Sequence, residues 1–155
     1  MNVDKPAIYW DTSALLPYYR EEKNSQVIQD FLFSLNIPAG ISDLTVLEFA
    51  SALSRWVRMK ELTEAQASLM ENAFLEDTRS DLIRRLSITT KHYRQALKWI
   101  SSRKTALRTL DALHLACSFA VGIEMVTCDE VVARSADVLG VPCRFVTSSN
   151  IVNDP

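Results

Sequence analysis

Two aspartates stand where an α/β chain could do chemistry. Asp11 ends the short apolar run Ala7-Ile8-Tyr9-Trp10, and Asp129 follows Glu124-Met125-Val126-Thr127 after Cys128. Both runs have strand composition, and in an open parallel sheet ligands bind beyond the carboxyl ends of the strands. If these two strands are neighbours, their carboxylates converge over one crevice and offer it hard oxygen donors, the kind divalent cations accept. Each aspartate also has a plainer reading, because an aspartate just after a strand is a good N-cap for the helix that follows. Asp111 sits at or near the start of another helix, where the dipole favours a carboxylate. Glu48 falls inside a helix, opposite the stripe Val46-Phe49-Ala50-Leu53, and its spacing alone reads as a solvated side chain.

His114 lies three residues after Asp111, an Asp-x-x-His spacing that could ligate a metal. It also shares the apolar stripe of Leu110, Leu113 and Cys117, and a packed histidine is the reading that stripe favours. His92 and His114 assemble no relay of base and nucleophile, so serine- or cysteine-type covalent catalysis has no support. Cys128 reads as a small buried residue between strand and loop.

The elements that must position these groups alternate. A strand at 7–10 runs into a helix opened by Asp11-Thr12-Ser13. Val27, Ile28, Phe31, Leu32 and Leu35 mark one face of a second helix, closed near Pro38 and Gly40, and Ile41-Ser42 is a brief strand. From Asp43, taken as the cap, a helix of about four turns carries Val46, Phe49, Ala50, Leu53, Trp56 and Val57. Thr63-x-x-Gln66 is a capping box for the next helix. A third strand lies within 82–88. One helix follows on Tyr93, Ala96, Leu97 and Ile100, and another on Leu110, Leu113, His114, Cys117 and Val121, stopped by Gly122. Then come a strand at 124–127, a helix on Val131, Val132, Ser135, Val138 and Leu139, and a last strand around Arg144-Phe145-Val146. Strands alternating with helices and never joined by hairpins imply a parallel sheet of about five short strands, flanked by helices on both faces. The polar stretch from Thr147 onward reads as a loosely ordered tail.

Composition sets the outer bounds. The 155 residues are 48% hydrophobic and 23% charged, ordinary globular usage for one domain. No apolar run nears the ~20 residues of a membrane span, and the start lacks a secretion signal, so a cytoplasmic protein without a membrane partner is expected. Cys117, Cys128 and Cys143 show no Cys-x-x-Cys spacing and read as reduced thiols. The net charge of −2 is mild, but its distribution is not. Between Asp81 and Asp111 no acid occurs, while Arg84, Arg85, Lys91, Arg94, Lys98, Arg103, Lys104 and Arg108 all fall there, nearly half of the 17 lysines and arginines. Lys91, Arg94 and Lys98 share one helical face, ordinarily a solvated row. With no acids nearby, Lys91, Arg94, Lys98, Arg103, Lys104 and Arg108 form a flank suited to RNA phosphates.

Four segments together resemble the signatures of PIN-domain nucleases: Ile8-Tyr9-Trp10-Asp11-Thr12-Ser13-Ala14-Leu15-Leu16, Ser42-Asp43-Leu44-Thr45-Val46-Leu47-Glu48, Leu110-Asp111-Ala112-Leu113-His114-Leu115-Ala116, and Met125-Val126-Thr127-Cys128-Asp129. They fall in the family order and span nearly the whole chain, whose size is similar to that of VapC-type toxins of prokaryotic toxin–antitoxin pairs. The resemblance implies a single Rossmann-like PIN domain over 1–147 with a polar tail over 148–155. It implies a metal-dependent endoribonuclease, with Asp11, Glu48, Asp111 and Asp129 as the catalytic acids that bind Mg2+ or Mn2+, and with Thr12, Ser13 and Thr127 as hydroxyl supports. It further implies an RNA substrate, a small antitoxin partner, a homodimer and inhibition of translation. The alternatives are an RNA-processing PIN nuclease that is no toxin, or a non-catalytic relative that binds RNA or a partner. The acids suit the chemistry: magnesium takes a few carboxylates and keeps waters. Two carboxylates about 5 Å apart repel by roughly 3 kcal/mol at an effective dielectric near 20, so the metal-free site should be strained.

Two other classes that place acids at the ends of parallel strands fit less well. A phosphoacceptor signalling domain needs an aspartate after the third strand, where this chain has Ser87-Ile88-Thr89-Thr90-Lys91. A haloacid-dehalogenase-like phosphatase needs Asp-x-Asp after the first, where it has Asp11-Thr12-Ser13.

Overall fold

The computed structural model describes residues 6–149. Five strands, β1 (Ile8–Trp10), β2 (Ala39–Ser42), β3 (Ile83–Leu86), β4 (Met125–Thr127) and β5 (Cys143–Phe145), form one parallel sheet in the order β3-β2-β1-β4-β5. Seven helices connect them among the described residues: α1 (Thr12–Tyr19), α2 (Ser25–Ser34), α3 (Asp43–Arg58), α4 (Glu64–Arg79), α5 (Thr90–Ser101), α6 (Thr109–Val121) and α7 (Glu130–Leu139). The chain winds outward from β1 to β3, then returns to lay β4 on the other side of β1. That reversal opens a crevice between the ends of β1 and β4.

The period-2 alternation of β1 sends its side chains to two cores. Ile8 and Trp10 pack with Ile28, Ile41, Phe49 and Val126 under α1 to α4. Tyr9 faces the other way, with Leu115, Met125 and Val132 under α5 to α7. Burial on both faces explains why the strands read as apolar runs and not as alternating ones.

Local signals hold at most boundaries. Thr63 caps α4, its hydroxyl accepting the Gln66 N–H at 3.2 Å while Gln66 Oε1 accepts the Thr63 N–H at 2.8 Å. Gly122 and Gly140 end α6 and α7 in the left-handed region, both at φ 67°. Gly40 does not mark the end of α2; it lies inside β2, where an added Cβ would stand 2.8 Å from Pro6 Cγ and 3.3 Å from Ile8 O.

Three expectations change. Ser42, not Asp43, is the N-cap of α3, and Thr45 Oγ1 accepts the Ser42 N–H at 3.2 Å. Asp43 instead accepts from Arg85 Nε at 2.5 Å and the Ile88 N–H at 3.1 Å, tying α3 to the end of β3. In α5 the buried side chains are Ala96 and Trp99, while Tyr93 and Leu97 are 57% and 64% exposed and Ile100 also faces out. In α6 Leu110, in the first turn, is exposed, while every residue from Ala112 to Ser118 is buried, so the middle of the helix is covered all round. The tail expected after Thr147 has a tie in the described residues, the Ser148 N–H donating to Asn24 Oδ1 at 2.9 Å; residues 150–155 lie outside the described part.

Gly40→Ala should destabilise the fold by about 1–3 kcal/mol through this overpacking, read by urea unfolding. A variant as stable as the parent would mean that Pro6 yields freely.

Candidate active site

β1 and β4 are neighbours, and the Asp11 N–H donates to Val126 O at 3.2 Å, so the ends of the two strands are locked side by side. Asp11 caps α1, as its plainer reading required. Its Oδ1 accepts from the Ala14 N–H at 3.0 Å and from Ser13 Oγ at 2.7 Å. Its Oδ2 accepts from Thr127 Oγ1 at 2.6 Å. Asp11 as a whole is only 5% exposed. Burial drives its pKa above the ordinary value, against the opposing charge of His114 and the hydrogen bonds from Thr127, Ser13 and Ala14.

The supporting hydroxyls weld β1 to β4. Ser13 Oγ accepts the Cys128 N–H at 3.0 Å and lies 3.2 Å from Thr127 Oγ1, which in turn accepts the Asp129 N–H at 3.0 Å. Asp129 caps α7, its Oδ1 accepting from the N–H groups of Val131 at 2.8 Å and Val132 at 3.3 Å. Capping occupies one oxygen of Asp129; Oδ2 has no hydrogen bond among the described residues.

Asp111 is the third residue of α6, in the first turn just after the N-cap Arg108. Its pKa is raised, first by burial, then by the charge of Asp129, with Asp11 contributing less. Asp111 therefore feels the charges of both Asp129 and Asp11 at the crevice.

Glu48 departs from the solvated reading. Its Oε2 accepts from Thr12 Oγ1 and lies 2.6 Å from His114 Nε2, so the residue is enclosed between α1 and α6. Burial pushes the Glu48 pKa up, but the hydrogen bond and charge of His114, aided by Thr12, outweigh it and hold the carboxyl below its usual range. The helical wheel of α3 could identify its own core side but not that two other helices cover the flank beside it. His114 is buried as the stripe implied, yet both ring nitrogens are engaged: Nδ1 lies 2.6 Å from the Tyr9 hydroxyl, itself 2.8 Å from Ser42 Oγ. The only advance signal for this network was the Asp-x-x-His spacing.

No three His, Cys, Asp or Glu side chains among the described residues stand close enough together to hold a metal ion as placed. Of the four acids, Glu48 edges an open space: with Thr12, Leu16, Ser51, Arg55 and Leu110 it lines a cleft of 280 Å³. A larger groove of 640 Å³, with Tyr18, Tyr19, Phe33, Leu69, Met70 and Asp77 in its wall, shares none of these residues. Lys91, Arg94, Lys98, Arg103, Lys104 and Arg108 are all exposed, and none forms an ion pair among the described residues. Arg84 and Arg85, from the same acid-free stretch, pair instead with Asp81 and Asp43.

No curated relative matches the sequence. Among solved structures, FitAcB from Neisseria gonorrhoeae is similar at TM-score 0.65 and 18% identity, over 90% of this chain and 96% of that one. VapC20 from Mycobacterium tuberculosis, a sarcin-ricin loop cleaving toxin, aligns at TM-score 0.66 and 18% identity over 83% and 94%. VapBC2 from Rickettsia felis, bound to a DNA fragment from its promoter, aligns at TM-score 0.66 and 14% identity over 90% and 98%. At such identities these likenesses establish the fold. The sequence itself matches the profile of the PIN domain over residues 8–138, which takes in all four acids, and the chain belongs to that family.

Proposed function

We propose that this protein is a divalent-metal-dependent endoribonuclease, the toxin of a toxin–antitoxin pair that acts on translation. The observation that carries the reading is the convergence of Asp11, Asp111 and Asp129 at the parting of β1 and β4, where burial raises the pKa of Asp11, and burial with the charges of Asp129 and Asp11 raises that of Asp111. Ionised carboxylates gathered this way are stabilised by a cation.

The donor set fits Mg2+ or Mn2+. It is all oxygen, and Cys128, the nearest soft candidate, has its thiol pushed up to about 12 by burial and by the Asp11 charge, far from a thiolate ligand. Asp11, Glu48, Asp111 and Asp129 would hold the ion. When bound, a hard cation supplies an activated water and offsets the charge that builds on a phosphodiester under in-line attack. Thr127 and Ser13 fix the Asp11 carboxylate, and Thr12 fixes Glu48.

RNA as substrate is supported by the exposed row Lys91, Arg94 and Lys98 with Arg103, Lys104 and Arg108, which forms no ion pair among the described residues; the helix that carries the row packs on the one carrying Asp111. Arg108 lies at the very start of α6, beside that acid. The comparison with VapC20, a toxin that cleaves the sarcin-ricin loop, points the same way. A small antitoxin is supported by a toxin–antitoxin complex from Klebsiella pneumoniae among the structural neighbours and by the apolar groove between α1, α2 and α4, where Phe33 and Leu69 are exposed. A homodimer is supported by the exposed row Tyr93, Leu97 and Ile100, on a different face of α5 from the lysines. No helix among the described residues is long and apolar enough to cross a membrane.

Cleavage of a single-stranded RNA should require Mg2+ or Mn2+ and stop with chelator. Asp11→Asn should lower the rate by more than the roughly 10–100-fold typical of losing an outer hydrogen-bond partner. Undiminished cleavage by that variant would remove the site. For Asp111 the sign of the pH effect follows from its raised pKa: the folded form holds its proton more tightly than the unfolded chain, so its contribution to stability is lost as pH rises from about 4 through the folded pKa. Metal-free Asp111→Asn should therefore melt above the parent at neutral pH, with the gap closing toward pH 4, and a lower Tm at neutral pH would contradict the repulsion. Reversing Lys91 and Arg94 to Glu should flatten the salt dependence of RNA binding, by about 0.7 in slope for each phosphate that is no longer neutralised. An unchanged slope would clear α5 of that role.

A further inference from the structure

His114 is a buried ionisable side chain beside the acids that the proposed reaction leaves without a task. It lies one turn below Asp111 on α6 and is 3% exposed. Its Nε2 lies 2.6 Å from Glu48 Oε2 and 3.4 Å from Thr12 Oγ1, and its Nδ1 lies 2.6 Å from the Tyr9 hydroxyl. The Tyr9 hydroxyl is 2.8 Å from Ser42 Oγ, and both residues are fully buried. A single hydrogen-bonded chain thus runs Ser42–Tyr9–His114–Glu48–Thr12 through the end of β2, the middle of β1, α6, α3 and α1.

Packing alone does not call for this arrangement. From Ala112 to Ser118 every residue of α6 is buried, and a leucine would fill the position without the penalty of burying a polar ring. The ring is instead held from behind by a phenol on the most central strand of the sheet. One ring nitrogen, Nε2, faces Glu48 Oε2, and the other, Nδ1, faces the Tyr9 hydroxyl, so the ring spans the two. Glu48 Oε2 already takes Thr12 and His114, whereas Oε1 has no hydrogen-bond partner among the described residues.

We infer that His114, braced by Tyr9 and Ser42, is a positioning residue that fixes the Glu48 carboxylate through Oε2 and so presents Oε1 to the divalent cation. This rests on the reading of Glu48 as one of the cation's oxygen donors. Its role is that of an outer partner: it touches the carboxylate and not the cation, since both ring nitrogens are spent. Partners of this kind typically govern metal affinity by about 10–100-fold.

Calorimetric titration of the full chain with MnCl2 tests it, using the parent, His114→Gln, Tyr9→Phe, Glu48→Gln and the double variant Glu48→Gln/His114→Gln. His114→Gln should raise the Mn2+ Kd about 10-fold and Tyr9→Phe by less, while the double variant should bind no more weakly than Glu48→Gln alone. An unchanged Kd for His114→Gln, or the same factor lost in both backgrounds, overturns the inference, because a purely structural histidine would not act through Glu48. If His114→Gln shows no cooperative melt, Tyr9→Phe decides, since it removes only the hydroxyl; an unaltered Kd there is equally fatal. A parent protein that takes up no Mn2+ would bring down the acidic site itself and this inference with it. Uptake by the parent with unaffected variants would remove the histidine's role alone.

Discussion

A carboxylate set beneath the edge of a sheet must be matched by donors or it will not stay charged, and Asp11 is matched from two directions. Ala14 and Ser13 come from its own helix, Thr127 from the end of β4. The second direction exists only because the chain, after reaching β3 at one edge, returns to place β4 against β1. Tyr9, Trp10, Met125 and Val126 hold that pairing by packing into cores on opposite faces of the sheet. The crevice is therefore a product of topology, and its acids arrive from three separate helix starts.

Two of those acids do structural and electrostatic work with the same side chain. Asp11 and Asp129 each use Oδ1 to cap a helix, which holds the carboxylate in place while it stands near its neighbours. Capping and ligand binding are compatible because a carboxylate has two oxygens with several acceptor sites. The burial and repulsion that raise Asp111 are the counterpart of this arrangement: a site that took a cation would be poorer in stability without one. Glu48 is supported differently, by a hydroxyl and an imidazole, and its carboxyl stays ionised more readily than those of Asp11 and Asp111.

Much of this was legible from residue order because it is local. Strand followed by aspartate, the Thr63-x-x-Gln66 box and the glycines after α6 and α7 are short-range signals, and each element they mark is present. What failed was whatever depended on a second element. Periodicity could group Tyr93, Leu97 and Ile100 on one face of α5 but could not tell that the face is turned outward, Ala96 and Trp99 being the side that meets α6. The same limit hid Glu48, whose surroundings come from α1 and α6, and His114, whose burial the stripe implied but whose ring partners lie 66 and 105 positions away in the chain. The cap of α3 slipped by one residue because Ser42 and Asp43 are both good caps and only the tie of Asp43 to Arg85 separates them.

If the parting of β1 and β4 binds a hard cation through carboxylate oxygens, the ion itself can be located. Crystals grown with MnCl2 and measured at a wavelength where manganese scatters anomalously provide the direct view. The expected anomalous difference map has a peak within bonding distance, about 2.0–2.3 Å, of oxygens from Asp11, Asp111 and Asp129. A map with no peak at the crevice, or manganese bound only elsewhere on the molecule, would contradict a metal-binding role for these acids.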